Sequence, residues 1–224
     1  MKFNYEFVEE KEFLKRAQTD CSNCLKRLED LLRNERDING QIILIGSGAR
    51  NMVTQDSNGD MDFDYNFNVL NGFDYDEKYL KESVMWGYNK IQNEDGLGDV
   101  SDSTSSISSG WMWFKDTPQS KFKVDLGIVT KKNNQWYRLI HKKTGNTKTD
   151  KYYWVPAPNS RKLSGKVRKI KKLPGKWENV RTEYLRLKNH YLHRNDHNHP
   201  SFICYIEAVN NVYNQLFPKR TNKR

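Results

Sequence analysis

Residues 44–67, LIGSGARNMVTQDSNGDMDFDYNF, contain the pattern from which the fold is predicted. It begins inside an apolar run, QIILI at 41–45, which predicts a short buried strand because glycines bound it on both sides. A Gly46-Ser47-Gly48 turn follows this strand. Apolar and polar residues then alternate over 61–68, which predicts a second strand with one apolar face and one face of acids and amides.

Two aspartates of the second strand, Asp62 and Asp64, are two positions apart and are therefore expected on the same face of the sheet. A third, Asp125, lies within FKVDLGIVT at 122–130, another predicted strand. Nucleotidyl transfer uses two divalent cations about 3.5–4 Å apart, and hard cations select clustered carboxylate oxygens. We therefore predict that these three aspartates are catalytic residues and metal ligands.

The spacing leaves a second choice of metal pair open. Asp60, Asp62 and Asp64 are separated by two residues each, so the pair is either 60 and 62 or 62 and 64. We prefer the second because Gly59-Asp60 has the composition of a turn, whereas the strand pattern continues beyond Asp64.

The Gly46-Ser47-Gly48 turn predicts a binding site for phosphate groups. Glycines let the backbone approach a ligand closely, and a turn between a strand and a helix start presents N–H groups and a hydroxyl to an anion. Gly46, Ser47 and Gly48 are therefore predicted to bind a nucleotide, and Arg50, just beyond the turn, is added to this set.

In this order, the Gly-Ser turn, the Asp-x-Asp strand and the later aspartate in KFKVDLGIV (121–129) resemble the signature of DNA polymerase β-like nucleotidyltransferases. The family includes poly(A) polymerases, CCA-adding enzymes and cyclic GMP-AMP synthase-like proteins. The resemblance covers about residues 40–130 directly. It implies an α+β fold with a short mixed sheet flanked by helices, Mg²⁺ or Mn²⁺ as cofactor, a nucleoside triphosphate as donor and a hydroxyl group as acceptor.

The rest of the chain is predicted to be helical at both ends. Apolar residues at steps of three and four predict an amphipathic helix over 9–33, and helices are also predicted over 79–91, 180–191 and 200–216. Further strands are predicted over 111–114, 135–141 and 152–155, and the polar run 93–109 is predicted to be a loop. Ser103, Thr104 and Ser105 could contact a nucleotide, but we favour a flexible polar loop for them. The Pro-rich segment at 156–159 marks a boundary between a catalytic domain, 1–158, and a basic helical domain, 159–224, which the resemblance suggests is packed on it.

Charge is distributed unevenly along the chain. Residues 1–130 carry 15 Lys/Arg and 23 Asp/Glu, a net charge of −8, whereas residues 131–224 carry 23 and 5, a net charge of +18. The basic half suits a polyanion such as RNA or a nucleotide acceptor. Arg181 and Lys188, seven residues apart on one helical face, are predicted to contact the donor phosphates. The alternative hypothesis is a non-catalytic module that binds nucleic acid or nucleotides.

Composition argues against export and against a membrane span. The acidic N-terminus is unlike a signal peptide, and no apolar run approaches 18 residues. Three cysteines without a disulfide pattern suggest a reducing, cytoplasmic environment, and the sequence does not indicate an oligomeric state. A zinc site is not expected, because Cys21 and Cys24 fall on the apolar stripe of the first helix. The other ligands of such a site would be His190, His193, His197 and His199.

Overall fold

Ten strands and five α-helices are found in the part of the chain that this computed structural model describes, residues 4–157, 161–194, 196 and 200–218. The strands are β1 (Glu6–Phe7), β2 (Gly40–Leu44), β3 (Thr54–Gln55), β4 (Met61–Val69), β5 (Ser101–Asp102), β6 (Ile107–Ser108), β7 (Met112–Phe114), β8 (Thr117–Lys132), β9 (Gln135–Lys142) and β10 (Lys151–Pro156). The helices are α1 (Lys11–Arg36), α2 (Glu77–Glu94), α3 (Arg161–Lys171), α4 (Lys176–His193) and α5 (Ser201–Leu216). Single 3₁₀ turns lie at Gly48–Arg50 and Gly72–Asp74.

The chain divides into two units. Val8–Ala157 forms the first, and the described residues before Val8 join those after Ala157 in the second. The N-terminal residues belong to the second unit through contacts with α4. The Tyr5 N–H donates to Asn189 Oδ1 at 2.6 Å, and the Phe7 ring stacks on Tyr184 with centroids 6.5 Å apart. The sequence, in contrast, predicts one catalytic domain over 1–158, which groups these residues with the sheet.

A mixed sheet is the centre of the first unit. Its strands run in the order β10-β9-β8-β4-β2, with β6 and β7 also paired to β8 and β5 paired to β6. β4 and β8 are parallel, and the other pairs of this sheet are antiparallel. The predicted α+β fold, with a mixed sheet flanked by helices, is therefore confirmed.

The two faces of β4 differ as the alternation predicts. Met61, Phe63, Tyr65 and Phe67 are buried, while the residues between them are exposed or half-buried and lie on the other face. α1 and α2 pack together, and α1 also contacts β2 and β8. The helices thus cover the apolar face of the sheet, and the face that carries the aspartates is left for a site. The buried stripe of α1 consists of Phe13, Ala17, Cys21, Cys24, Leu25, Leu28 and Leu32.

The first helix runs three residues beyond its predicted end at residue 33. It stops where Asp37 adopts a left-handed conformation, φ 53°, and the Ile38 N–H donates back to the Leu32 carbonyl at 3.1 Å. This arrangement satisfies the last free carbonyls of the helix. An Asp tolerates the left-handed region better than most residues, so the stop signal is weaker in sequence than a glycine would be.

The segment 93–109, predicted to be a loop, has regular secondary structure in part. It contains β5 and β6, and β6 pairs with β8 with Ser108 opposite Asp125. The prediction of a loop is therefore wrong for the residues of β5 and β6. The two strands are only two residues each, and their partners are distant in sequence, so local composition carries little trace of them.

The second unit is helical, as predicted. α4 packs on α5, and α3 contacts both of them. Val180, Tyr184 and Leu187 form the buried stripe of α4, and Cys204, Ala208, Val209 and Val212 are buried on α5. Within the described residues, no helix has the length and apolar character needed to cross a membrane.

Candidate functional site

Asp64 and Asp125 lie directly opposite each other on two neighbouring parallel strands. In the register of β4 and β8, Asp64 is the partner of Asp125, and Asn66 is the partner of Gly127. Paired positions of adjacent strands project to the same face of a sheet. Because no strand separates them, the two carboxyl groups are neighbours on the face opposite α1 and α2.

Asp62 lies on the same face, one step earlier along β4. Its register partner is Lys123, and their side chains form an ion pair of 3.6 Å. The Asp62 side chain is 52% exposed, so it is the most accessible of the three predicted carboxylates. Asp60 lies before the strand, in a turn where its N–H donates to Asp56 Oδ1 at 3.1 Å.

The carboxyl group of Asp64 has a raised pKa. Burial is the largest cause, followed by the negative charges of Asp125 and Asp62, while the positive charges of Arg138 and Arg50 partly offset them. The three carboxylates therefore sense one another electrostatically. A raised carboxyl pKa beside like charges is typical of sites that bind a cation or a proton.

The Gly46-Ser47-Gly48 turn is anchored to the Asp64 residue. The Ile45 N–H donates to the Asp64 carbonyl at 2.9 Å, which places the turn beside the carboxylates. Gly46 adopts φ 61°, and the Asp64 carboxyl group fills the position that a side chain at Gly46 would need. A single 3₁₀ turn follows instead of the longer helix that the sequence suggested, because Asn51 turns left-handed at φ 55°.

Two arginines face this site. Arg50 donates a hydrogen bond to the Gly46 carbonyl and so fixes the turn. Arg138, on β9, lines a cavity of about 150 Å³ together with Asp64 and Asp125. Arg138 was not predicted from the sequence. In the register of β9 with β8, Arg138 pairs with Val129, and this pairing places Arg138 on the face that carries the carboxylates. The other residues lining the cavity are Ile45, Tyr65, Asn66, Ser105, Ser106 and Gly127.

Ser108 is a second residue that sequence reasoning missed. Its hydroxyl donates a hydrogen bond to Asp125 Oδ1. Ser105, for which a flexible polar loop is predicted, lies between β5 and β6 and lines the cavity. A run of six serines and one threonine between 101 and 109 is the only trace of these contacts in the sequence, and such runs are more typical of loops.

Arg181 and Lys188 belong to the second unit, where both lie over aromatic rings. Arg181 Cζ is 4.5 Å from the centroid of Phe7, and Lys188 Nζ is 3.8 Å from that of Tyr5. Such cation–π contacts give both residues a role in packing the N-terminal segment on α4. Their predicted contact with phosphate stays a prediction.

The donor set of the first unit fits a magnesium or manganese ion. Hard divalent cations prefer carboxylate oxygens, and the like-charge repulsion at Asp64 is the electrostatic stress that a bound cation relieves. Among the residues that the structure describes, however, no three His, Cys, Asp or Glu side chains are already clustered as a complete metal cage. The third carboxylate, Asp62, forms an ion pair of 3.6 Å with Lys123.

The zinc alternative gains no support from the cysteines. Cys21 and Cys24 are buried on α1, and burial raises the pKa of both thiols, to about 11 for Cys24. A zinc ligand is a thiolate, so these groups are poorly suited. His190 and His193 lie on α4, and His197 and His199 are outside the described residues.

The sequence matches no family model and no curated protein, but solved structures share its fold. The CD-NTase CdnG of Bradyrhizobium diazoefficiens, in complex with GTP, superposes with a TM-score of 0.56 at 12% identity, over 91% of this chain and 67% of that one. CdnC of E. coli MS115-1 with ATP gives 0.52 at 15% identity, over 94% and 62%. The GTP-bound form of Vibrio cholerae DncV gives 0.53 at 12% identity, over 88% and 51%.

These similarities establish a fold. The chain has the polymerase β-like nucleotidyltransferase fold of the CD-NTases, so the resemblance drawn from the sequence is confirmed at that level. The chain spans about half to two thirds of the length of these three structures. Because identities are 12–15%, activity and substrate do not follow from the likeness.

Proposed function

We propose that this chain, which has the fold of the CD-NTases, is a metal-dependent nucleotidyltransferase. It would transfer a nucleoside monophosphate from a nucleoside triphosphate to a hydroxyl acceptor and release pyrophosphate. Asp62, Asp64 and Asp125 would be the catalytic carboxylates and the ligands of Mg²⁺ or Mn²⁺. A cytoplasmic location, expected from the cysteine content, is part of the same proposal.

The observation that carries the proposal is the in-register pairing of Asp64 with Asp125 beside the Gly46 turn. A protein without need of cations would gain stability by avoiding two neighbouring carboxylates, since burial and like charge both raise the pKa of Asp64. This loss of stability is expected where a function requires the charges.

The phosphates of the donor would be bound by the backbone of Gly46, Ser47 and Gly48. Arg50 orients this turn through its hydrogen bond to the Gly46 carbonyl and adds positive charge. Arg138 adds a second positive charge at the cavity that Asp64 and Asp125 line. Such fixed donors and charges stabilise a transition state without reorganising during the reaction.

In the reaction, the acceptor oxygen forms a bond to the α-phosphorus, and the bond between that phosphorus and the bridging oxygen to the β-phosphate breaks. The hydroxyl proton passes to the Asp125 carboxylate, and pyrophosphate leaves with the bonding electron pair. Asp62, Asp64 and Asp125 would hold a divalent cation, which would supply charge neutralisation for the triphosphate and would make the acceptor hydroxyl more acidic. The contribution of the chain is positioning and charge.

The donor and acceptor are expected to be nucleotides or nucleic acid. The solved neighbours carry GTP or ATP, and the net charge of +18 over residues 131–224 favours polyanions. Arg181 and Lys188 are proposed to contact the donor phosphates.

The test is a transfer assay with each labelled nucleoside triphosphate, Mg²⁺ or Mn²⁺, and a panel of nucleotide, RNA and protein acceptors. Asp64→Asn is the test variant, and Asp116→Asn is its matched control. Asp116 belongs to an exposed ion pair with Arg16, whose side chains are 64% and 51% exposed, so the control makes the same chemical change away from the site.

Transfer by the unchanged protein and the Asp116→Asn control, with at least a hundredfold loss in Asp64→Asn, is the expected result. Transfer that survives in Asp64→Asn contradicts the metal assignment. Nucleotide binding without transfer to any acceptor would support the alternative, a non-catalytic module on the same fold.

A further inference from the structure

A cluster of charged residues is buried outside the candidate site. The side chains of Lys81, Asp102, His141 and Asp150 are 2%, 11%, 8% and 7% exposed. Lys81 Nζ lies 2.8 Å from Asp102 Oδ1, and the two ring nitrogens of His141 lie 2.6 Å from Asp102 Oδ2 and 3.0 Å from Asp150 Oδ2. One carboxylate, Asp102, thus joins α2 to β9 through the short strand β5.

Burying such groups is unfavourable unless they are paired and hydrogen-bonded. Burial lowers the pKa of Lys81, and the hydrogen bond and charge of Asp102 oppose that effect. At Asp102, burial raises the carboxyl pKa, but the bonds from Lys81 and His141 outweigh it and leave the pKa lowered. The cluster is therefore sensitive to the loss of any single member.

The cluster residues also form hydrogen bonds with the backbone of residues 103–108. We call residues 103–108 the serine segment. Lys81 Nζ donates to the Ser106 carbonyl at 3.2 Å, and the backbone N–H of His141 donates to the Thr104 carbonyl at 2.8 Å. Within the segment, the Ser103 N–H donates to the Ser106 carbonyl at 3.0 Å. Contacts from α2 and from β9 thus hold the segment on two sides.

The other side of the serine segment is the candidate site. Ser105 and Ser106 line the cavity of Asp64 and Asp125. Ser108 stands opposite Asp125 in the pairing of β6 with β8, and its hydroxyl donates to Asp125 Oδ1. Hydrogen bonds therefore hold this stretch of chain at two points, Ser106 by Lys81 and Ser108 by Asp125, and two steps of backbone join those points.

We infer that Lys81, Asp102 and His141 are positioning residues that tether the serine segment, so that Ser108 holds the Asp125 carboxylate in its orientation beside Asp64. None of the three lines the cavity, so their effect on the site passes through the segment. The effect on Asp125 rests on the proposed function, whereas the tethering of the segment does not.

The tether is tested by hydrogen exchange of backbone amides in Asp102→Asn, with Asp116→Asn as the control. We expect exchange in residues 101–110 to become at least about tenfold faster in Asp102→Asn, while exchange in α1 and in the control stays as in the unchanged protein. Unchanged exchange in residues 101–110 would overturn the inference.

Asp102→Asn leaves the Lys81 ammonium buried without its partner charge, which by itself can prevent folding. The double variant Lys81→Met/Asp102→Asn removes both charges and answers this case. Faster exchange confined to residues 101–110 in the double variant supports the tether. Faster exchange throughout Val8–Ala157, or failure of both variants to fold, would overturn it, because the cluster would then serve the whole unit and not the segment.

The link to the site is tested with Ser108→Ala and Ser108→Thr in the transfer assay. Ser108→Ala is expected to lower kcat by about tenfold or more with little change in the KM for the triphosphate, since the hydroxyl orients Asp125 and is not needed for donor binding. Ser108→Thr keeps the hydroxyl and is expected to recover most of that loss.

The two readouts fail separately. If the unchanged protein shows no transfer activity, the proposed function fails, and the exchange experiment still decides whether the tether exists. If the protein is active and Ser108→Ala has the kcat of the unchanged protein, the proposed function stands and the positioning role is overturned.

Discussion

The Oδ2 atom of Asp64 occupies the space beside Gly46 so fully that a Cβ atom there would lie 2.1 Å from it. No real Cβ contact is that short, so residue 46 and the carboxylate are compatible only if residue 46 has no side chain. Gly46 also has φ 61°, in the region that side chains disfavour. The turn and the carboxylate thus specify each other.

Gly46→Ala is therefore predicted to displace the Asp64 carboxylate and to lower nucleotidyl transfer by at least about a hundredfold. Gly96→Ala is the matched control, because Gly96 has φ 71° and open space around it. The control shares the left-handed strain, about 1–2 kcal/mol, but lacks the clash. Thermal melting and transfer assays on both variants check this, and equal activity in the two would contradict it.

Asp64→Asn is predicted to stabilise the metal-free protein at neutral pH. A carboxyl group whose pKa is raised on folding binds its proton more tightly in the folded state, so stability falls as pH rises through that pKa. The amide removes this loss and is expected to raise Tm at pH 7 by about 2–4 °C for each kcal/mol gained. The gain should disappear well below the ordinary Asp pKa of about 3.9.

Asp116→Asn is not expected to raise Tm in the same melting experiment. The Arg16 guanidinium holds the pKa of Asp116 below its usual range, so its charge favours the folded state at neutral pH. We expect Asp116→Asn to leave Tm unchanged or slightly lower. A lower Tm for Asp64→Asn than for Asp116→Asn at pH 7 would contradict the assignment of repulsion at Asp64.

At pH values above the raised pKa of Asp64, Mg²⁺ is predicted to raise the Tm of the unchanged protein. This effect is predicted to disappear as the pH falls through that pKa. The ion binds the deprotonated carboxylate and competes with the proton. Melting curves with and without Mg²⁺, measured in steps from neutral pH down to the ordinary Asp pKa of about 3.9, follow the loss. In Asp64→Asn we expect little Mg²⁺ effect at any pH, and a full effect there would count against this ligand.

Arg138→Gln is predicted to move the acidic limb of the pH–activity profile to higher pH. Burial and the charges of Asp125 and Asp62 raise the pKa of Asp64, and Arg138 offsets part of this rise, so removing Arg138 raises the pKa further. Lys142→Gln, an exposed position on the same strand, is the control for loss of one positive charge. An unshifted acidic limb in Arg138→Gln would mean that Arg138 does not act on the titrating carboxylate.

The strand β4 was accessible to prediction because alternation is a local property of the chain. Once residues 61–68 are extended, Asp62 and Asp64 must share a face, and the neighbouring apolar residues must be buried. The fold class follows from this strand, the glycine turn and the Asp125 strand together. Their order in the sequence is the order that the fold requires.

Arg138 and Ser108 were not accessible in the same way. Each reaches the carboxylates through the register of an antiparallel pair, β8 with β9 or β6 with β8, and a shift of one residue would turn it to the other face. Register depends on the assembled sheet. The contacts of the serine segment were not predictable for a related reason. Lys81 lies 22 residues before the Ser103 carbonyl, which is its first contact in the segment, and His141 lies well beyond the end of the segment.

Asp64 and Asp125 are 61 positions apart in the chain, and their strands are parallel. Parallel pairing cannot form through a tight turn, so the intervening chain, which contains α2 and β5 to β7, must be brought around first. Loop closure of this kind slows folding, because its entropic cost precedes the contacts that repay it. The local α1 helix and the β8–β9 hairpin are able to form early, while the pairing that creates the carboxylate cluster comes late. Ribosomes must release β8 at least as far as Asp125 before the two carboxylates can meet, so a nascent chain that has exposed only β4 has no cation site yet.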